Sequence, residues 1–210
     1  MTNKLIDDVA TYYSSKLLEF GATAKGVDWN SEQSQQLRFS QLCKIIDPLL
    51  MNFSILDYGC GYGAMLSYLR TKLDPQIGMK YIGFDVSIEM IKQSTQIFGG
   101  DEKIVWASKE QELTACDYVV ASGIFNVKMD YEHKIWLEYV LNTLAKLDSL
   151  GRKGFSFNVL TSYSDKELMK DNLYYADPGF LFAFCKSNFS RDVALLHDYG
   201  LYEFSILVRK

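Results

Sequence analysis

Three glycines alternate with other residues in the segment DYGCGYG (residues 57–63), between a short apolar run and a stretch with helical spacing. Glycines at this spacing permit a sharp turn and let backbone N–H groups approach a ligand without interference from Cβ atoms. The segment therefore predicts a ligand-binding loop between a strand and a helix. The letters GCGYGA also fit the G-x-G-x-x-A pattern of dinucleotide-binding loops, and a purely structural turn is a further alternative.

Two acids flank this loop in a way that bears on the ligand. Asp57 stands at the end of the first strand, two residues before the first glycine, and Asp85 ends the second strand. A carboxylate at the loop would repel the pyrophosphate of NAD, but it would attract the cationic ammonium and sulfonium groups of S-adenosylmethionine (SAM). Asp85 lies where a ribose would present its hydroxyl groups, which suits either cofactor. A helix cap or a pair with a nearby cation is the alternative role for Asp57.

Short apolar runs alternate with helical stretches from residue 53 onward, which predicts right-handed crossovers and a doubly wound, mostly parallel sheet. Two final strand-like runs are joined by only two residues, and so short a connection requires an antiparallel pair. The prediction is an α/β fold with a seven-stranded sheet whose last strand is antiparallel. The predicted strands span 53–59, 79–86, 103–108, 116–122, 154–160, 193–199 and 202–210, and helices cover 64–73, 88–98 and the stretch around Leu137–Leu147.

The segment before the first strand predicts two helices. Apolar residues from Leu5 to Phe20 recur at helical spacing, and the pattern breaks at Gly21. Asn30 with Gln33 resembles a capping box that begins a second helix, with Pro48 in its last turn. We expect residues 1–52 to form a helical lid that is part of the same domain as a cofactor-binding core at residues 53–210.

Composition excludes several functional classes. The chain has 22 Lys+Arg and 26 Asp+Glu, a net charge of -4, and so it lacks the basic face that nucleic-acid binding needs. Four scattered cysteines and two histidines predict no metal site. No apolar run reaches the roughly 18 residues of a membrane span, and the charged start does not look like a signal peptide. We therefore expect no membrane association and a cytoplasmic protein.

Two motifs carry a resemblance to a known family. LDYGCGYGA resembles the glycine-rich first motif of the class I SAM-dependent methyltransferases, and YIGFDVS resembles their ribose-binding second motif. The resemblance extends from about residue 53 onward and includes the final hairpin, which that family's topology requires. It implies SAM as cofactor. It further implies that Asp57 and the loop residues Gly59, Cys60, Gly61 and Gly63 hold the methionyl part, that Asp85 binds the ribose, and that Val86 packs on the adenine.

Further cofactor contacts follow from the same resemblance. The family often has an acid after the third strand for the adenine amino group, and here Ser108 or backbone groups would replace it. Ser122 stands where the family lines the methyl donor. Arg38 would pair with the SAM carboxylate when the lid folds over the cofactor, and Trp29 would line that lid. A solvated Arg38 and a packing role for Trp29 are the alternatives.

The acceptor side is predicted from residue types near the sheet edge. His197 lies at the carboxyl end of a parallel strand next to Asp198, and a histidine beside an acid can act as general base for a hydroxyl. Asn158, Tyr163 and Tyr175 would complete a polar, aromatic pocket. A purely structural role for His197 is the alternative.

These observations predict a methyltransferase that acts on a small polar metabolite, with the hydroxyl oxygen of a sugar as the example. The segment after the fourth strand lacks the N/D-P-P-Y tetrapeptide of enzymes that methylate nucleic-acid bases, which further disfavours such substrates. A non-catalytic SAM-binding partner subunit is one alternative. An NAD-dependent oxidoreductase is the other alternative, and both Asp57 and the final hairpin argue against it. The sequence does not predict an oligomeric state.

Overall fold

The structure is a computed structural model that describes residues 2–210. Its strands are β1 (Asn52–Tyr58), β2 (Gly78–Phe84), β3 (Ile104–Ala107), β4 (Cys116–Ala121), β5 (Gly151–Thr161), β6 (Tyr175–Ala176), β7 (Asp192–Leu196) and β8 (Glu203–Arg209). Its α-helices are α1 (Thr2–Phe20), α2 (Glu32–Leu42), α3 (Ala64–Lys72), α4 (Ile88–Phe98), α5 (His133–Leu150) and α6 (Pro178–Asn188). Short 3-10 turns occupy Lys25–Val27, Cys43–Ile45, Glu110–Glu112 and Lys166–Leu168.

The strands form one sheet in the order β3-β2-β1-β4-β5-β8-β7, and the two-residue β6 pairs with β5 beside this path. Strands β1 to β5 pair in parallel, whereas β8 runs antiparallel to both β5 and β7. The carboxyl ends of the parallel strands therefore meet at one edge of the sheet. The predicted doubly wound α/β fold, with an antiparallel strand beside the fifth, is confirmed.

The core lies on both faces of the sheet. On β4, Val119 belongs to the same apolar cluster as Trp136 of α5, while its neighbour Val120 belongs to the cluster on the opposite face, with Phe39 of α2 and Met65 of α3. Central strands that are covered on both faces need apolar side chains at consecutive positions, which explains the continuous apolar runs of the sequence. Among residues 2–210, no helix has the length and apolarity that a membrane span needs.

Helix α2 differs from its predicted bounds. Its N-cap is Ser31, whose hydroxyl accepts a hydrogen bond from the backbone N–H of Ser34 at 3.1 Å, so the predicted cap at Asn30 is one residue too early. The helix ends at Leu42 and a 3-10 turn follows, which leaves Pro48 beyond it. Proline supplies no backbone N–H, so it lies outside the helix rather than in its last turn.

The C-terminal hairpin also differs from the prediction. Strand β7 ends at Leu196 and β8 begins at Glu203, so the connection is a loop of residues 197–202 rather than two residues. The hydroxyl of Tyr199 lies 3.0 Å from the hydroxyl of Ser205, which holds this wider loop against β8. Helix α6 was not predicted, although Asp177 caps it and Pro178 occupies its first turn, both of which are local helix-start signals.

Candidate active site

The glycine loop (residues 57–63) leaves β1 and enters α3 at the carboxyl edge of the sheet. Gly59, Gly61 and Gly63 have φ angles of 86°, 55° and 87°, a region that residues with a Cβ seldom adopt. The N–H of Gly59 donates to the carbonyl of Phe84 at 2.7 Å. The N–H of Gly61 donates to Asp85 Oδ2 at 2.8 Å. The end of β2 therefore fixes the shape of the loop, and the predicted turn is present.

The two predicted acids lie beside this loop and are both buried. Asp57 is 2% exposed, and its Oδ2 accepts a hydrogen bond from the Tyr81 hydroxyl at 2.6 Å. Burial raises the pKa of Asp57 to about 7, with a smaller contribution from the charge of Asp85, while the Tyr81 hydrogen bond opposes this rise. Burial also raises the pKa of Asp85 to about 6, against the effect of hydrogen bonds from Ser87 and Gly61.

Neither acid forms an ion pair among the described residues, although both accept hydrogen bonds. The ion pairs among the described residues involve other carboxylates. Helix α3 begins at Gly63 with no side-chain cap, so Asp57 does not cap it. Two buried carboxyls without a cation create a site that a positively charged ligand would stabilise. The alternative roles for Asp57, a helix cap or an internal ion pair, are absent from the described part of the chain.

The N-terminal segment covers the glycine loop. Val9 and Tyr13 of α1, together with Trp29, line the same cavity as the loop. A Cβ on Gly61 would stand 2.9 Å from the side chain of Val27, and a Cβ on Gly123 would stand 2.3 Å from the ring of Trp29. The segment thus rests directly on the backbone of the loop and of the turn after β4, and Trp29 occupies the position expected of a lid residue.

This first cavity, which we call the loop cavity, fits the chemistry of SAM. Ser122 lines it, and the buried Ser122 hydroxyl has no hydrogen-bond partner in residues 2–210. An unpaired buried hydroxyl costs about 1–3 kcal/mol, so a polar ligand group at this point would be favourable. The lining includes Asp57 with Gly59, Cys60 and Gly61, which suit a cationic amino-acid part. It also includes Asp85, Val86, Met90 and Tyr139, which suit a nucleoside.

Ser108 is not brought to the loop cavity. It follows β3 and is absent from the residues that line the cavity. The neighbouring Trp106 packs over Gly83 of β2, since a Cβ there would stand 2.2 Å from its ring. Ser108 does not join Asp85 and Val86 in the lining of the loop cavity.

A second cavity adjoins the first, and we call it the acceptor cavity. Tyr13, Val27, Trp29 and Gly123 line both cavities, so the two spaces share a wall. The acceptor cavity has a polar lining that includes Tyr12, Asp28, Arg38, Asn126, Lys170, Tyr175 and Tyr202. The Tyr12 hydroxyl donates to Asp28 Oδ2 at 2.6 Å, and Lys16 Nζ lies 3.0 Å from Asp28 Oδ1. The structure thus brings the predicted Tyr175 to a polar pocket beside the glycine loop.

Arg38 lines the acceptor cavity and not the loop cavity. Its Nε donates to Glu203 Oε2 at 2.7 Å, and its guanidinium lies 4.0 Å from the ring centroid of Trp29. Asn158 Nδ2 donates to Glu203 Oε1 at 3.0 Å, and Asn158 Oδ1 accepts from the N–H of Gly123 at 2.8 Å. Arg38 is therefore buried rather than solvated. Asn158 is fully buried and supports this network instead of facing a substrate.

Three predicted acceptor-side residues lie away from both cavities. His197 and Asp198 are exposed on the loop after β7, and Tyr163 is 75% exposed. The His197 ring packs at 6.0 Å from the Tyr163 ring and at 5.9 Å from the Phe204 ring. None of the three lines the loop cavity or the acceptor cavity. The structure therefore does not bring His197 to either cavity, although residues 200–202 of the same loop line the acceptor cavity.

Comparison with known proteins identifies the family. The sequence profile described as a methyltransferase domain matches residues 8–135. A candidate methyltransferase of Mycobacterium tuberculosis is 50% identical over 160 residues, which cover 75% of this chain and 93% of the relative. The chain belongs to the methyltransferase family. Segment 57–63 and Asp85 lie within the residues that the methyltransferase profile matches, so the predicted enzyme class is confirmed.

Solved methyltransferase structures share the fold. DhpI in complex with SAH superposes with a TM-score of 0.64 at 14% identity, over 100% of this chain and 98% of that chain. Magnesium protoporphyrin IX methyltransferase from Synechocystis PCC 6803 with bound SAM gives a TM-score of 0.57 at 15% identity, over 84% and 80% of the two chains. At these identities the likeness is one of fold, and it supports the predicted class I methyltransferase architecture.

Three residues of the site were not predicted from the sequence. Glu203 is 1% exposed at the start of the apolar strand β8. A single acid in an apolar strand indicates that its carboxylate forms a buried ion pair, and this signal was available in the sequence. Asp28 has a φ of 64°, and the sequence pattern around it does not predict this left-handed conformation. Lys170 lies in a segment without periodicity, so only the folded chain shows that it borders a cavity.

Proposed function

We propose that this methyltransferase uses SAM to methylate a hydroxyl oxygen of a small polar metabolite, with a sugar as the leading example. The observation that carries the proposal is the shared wall between the loop cavity and the polar acceptor cavity. An acceptor in the second space would meet a methyl donor in the first at Trp29 and Gly123. The polar lining favours hydroxyl-bearing molecules over apolar ones.

The residues around the loop cavity would hold and orient the donor. Asp57 would face the cationic methionyl part, and the backbone of the glycine loop would pack closely against it. Asp85 would accept hydrogen bonds from the ribose, and Val86 would contact the adenine. When bound, SAM supplies a methyl group on a cationic sulfur, and its transfer to oxygen breaks the carbon–sulfur bond and leaves a neutral thioether. The N-terminal segment would exclude water above this point.

A hydroxyl acceptor must also lose a proton. Asp28 is the one carboxylate among the residues that line the acceptor cavity. Tyr12 donates to one of its oxygens and Lys16 lies beside the other, so the carboxylate is oriented from two sides. We assign Asp28 as the group that takes this proton, in place of His197. General-base assistance of this kind contributes roughly 10²- to 10⁴-fold to the rate.

Transfer of label from methyl-labelled SAM to a small-molecule extract tests the proposal. We expect a labelled product that resists mild base, as a methyl ether does, and a loss of about 10²-fold or more in the Asp28→Asn variant. Asp101→Asn is the matched control, because Asp101 also pairs with a cation, at 2.8 Å from Arg70, but lies away from both cavities. SAM binding without label transfer to any extract would instead support a non-catalytic binding subunit.

A further inference from the structure

The acceptor cavity carries an excess of positive charge within an acidic protein. The whole chain has a net charge of -4, yet the charged residues lining this cavity are Lys16, Arg38 and Lys170 against the single acid Asp28. Asp28 is already matched by Lys16 at 3.0 Å. Arg38 pairs with Glu203, which does not line the cavity, and Lys170 forms no ion pair among the described residues.

Arg38 has hydrogen-bonding capacity that the protein does not use. Its side chain is 9% exposed, and the ion pair with Glu203 engages Nε. Nη1 is buried and has no hydrogen-bond partner among the described residues. Leaving a buried charged donor unpaired is unfavourable, and the planar guanidinium suits an oxyanion that accepts two parallel hydrogen bonds. An anionic ligand group would accept the hydrogen bond that Nη1 does not form within the protein.

The guanidinium is held in one orientation. Glu203 engages it from β8, and Trp29 stacks against it at 4.0 Å. Asn158 binds the other oxygen of Glu203 and also holds the N–H of Gly123, a residue of the wall that the two cavities share. The position of Arg38 is thus coupled to the point where donor and acceptor would meet. Such preorganisation is typical of a binding group rather than a surface charge.

Lys170 approaches the same cavity from the segment between β5 and β6. Its backbone N–H donates to the hydroxyl of Tyr175 at 3.0 Å, which fixes this part of the segment beside the cavity. Its side chain belongs to an exposed residue and forms no ion pair with the residues described here. A second cation at the cavity rim would attract an anion that Arg38 binds at depth.

We propose that the acceptor of this methyltransferase carries an anionic group, a carboxylate or a phosphate ester, which binds Arg38 with Lys170 as a second cation. This inference rests on the proposed function and narrows its substrate class. It also reassigns Arg38, because the predicted pair with the SAM carboxylate would require Arg38 at the loop cavity, and Arg38 does not line that cavity.

The charge of the labelled product tests this directly. Methyl-labelled SAM is incubated with a small-molecule extract, and the labelled product is passed over an anion exchanger at neutral pH. We expect retention. Release from the resin after phosphatase treatment would identify a phosphate ester, and continued retention would identify a carboxylate. A labelled product that flows through as a neutral molecule would overturn this inference alone. If no label is transferred to any extract, the proposed function fails and this inference fails with it.

Variants then assign the charge to its residues. Lys170→Gln should raise the acceptor concentration for half-maximal labelling by about two- to fivefold without changing the affinity for SAM. Lys166→Gln is the matched control, since Lys166 is also exposed in the same segment but does not line the cavity. An equal effect of the two variants, or none from Lys170→Gln, would remove Lys170 from the site.

The Arg38 variant needs a partner change, because removing Arg38 alone would leave Glu203 buried without its cation. The double variant Arg38→Gln with Glu203→Gln replaces the ion pair by two amides that can still bond. We expect it to raise the half-maximal acceptor concentration by roughly 10- to 100-fold while SAM affinity stays within about twofold. A loss of SAM affinity instead, with acceptor dependence unchanged, would assign Arg38 to the SAM carboxylate and overturn the proposal.

Discussion

The hydrogen bond between Tyr81 and Asp57 gives a prediction that isolates the charge at the glycine loop. Tyr81 is fully buried, and its hydroxyl donates to Asp57 Oδ2 at 2.6 Å. Tyr81→Phe removes this donor and little else. Because the hydrogen bond favours the ionised carboxylate, its loss should raise the pKa of Asp57 above the value of about 7 that burial gives it.

The size of the effect follows from the ionised fraction. A hydrogen bond to a charged group contributes about 1.5–3 kcal/mol, part of which the neutral acid keeps, so we take the rise in pKa as about one unit. At pH 7, the ionised fraction of Asp57 would then fall from about one half to about one tenth. If the cationic donor binds the ionised form, its dissociation constant should rise about fivefold at pH 7 and change by only about a tenth at pH 9.

Calorimetric titration of SAM between pH 6 and pH 9 measures this difference. Ionisation of SAM itself affects both proteins equally, so it cancels when the variant is divided by the parent. Tyr118→Phe is the matched control, because Tyr118 is also a buried tyrosine of the sheet, but its hydroxyl accepts a hydrogen bond from the backbone N–H of Asp47 instead of donating to Asp57. A Tyr81→Phe protein whose SAM affinity follows the parent at every pH would refute the assignment of Asp57 to the cation.

Three further predictions concern single residues. Without ligand, the free energy of unfolding should fall as pH rises from about 4 to about 7, because the raised pKa of Asp57 makes the folded state bind more protons than the unfolded state. Denaturant titrations of Asp57→Asn should show a smaller fall over this pH range, and a fall equal to that of the parent would contradict the prediction. Asp85→Ala should raise the dissociation constant of SAM by roughly 10- to 150-fold in calorimetry, and an unchanged value in a folded variant would exclude the ribose role. His197→Ala should leave label transfer within about twofold, because His197 is exposed and outside both cavities; a tenfold loss would restore it as a catalytic base.

The cofactor side of the site could be predicted because its signals are local. The glycine spacing sets the turn, and Asp57 and Asp85 end neighbouring strands, so a parallel sheet brings them together whatever the rest of the chain does. The position of each acid at the end of its strand, together with the pairing of the two strands, therefore suffices to predict that both acids lie beside the glycine loop. The same locality explains why helix α4 was predicted at its observed bounds, Ile88–Phe98.

The acceptor side could not be predicted because it depends on contacts between distant segments. Arg38 and Glu203 are separated by 165 positions, and no local pattern records that they meet. His197 was placed at the edge of the site on the assumption that its strand extends to Tyr199. The strand ends at Leu196 instead, and His197 is exposed in the loop that follows. Which residues of that loop face the cavity depends on its folded path, which no local sequence pattern predicts.

The position of β8 has a consequence for how the protein is made. Both of its neighbours, β5 and β7, precede it in the chain, so a ribosome produces the two flanking strands before the strand that joins them. At about 5–20 residues per second, roughly 2–10 s pass between the synthesis of β5 and that of β8, during which this edge of β5 has no partner strand, while β7 is made only shortly before β8. An unpaired sheet edge invites association with other chains. The glycine loop is synthesised early in the chain. Because Glu203 is the first residue of β8, Arg38 gains its ion-pair partner only when β8 has been made and has inserted between β5 and β7.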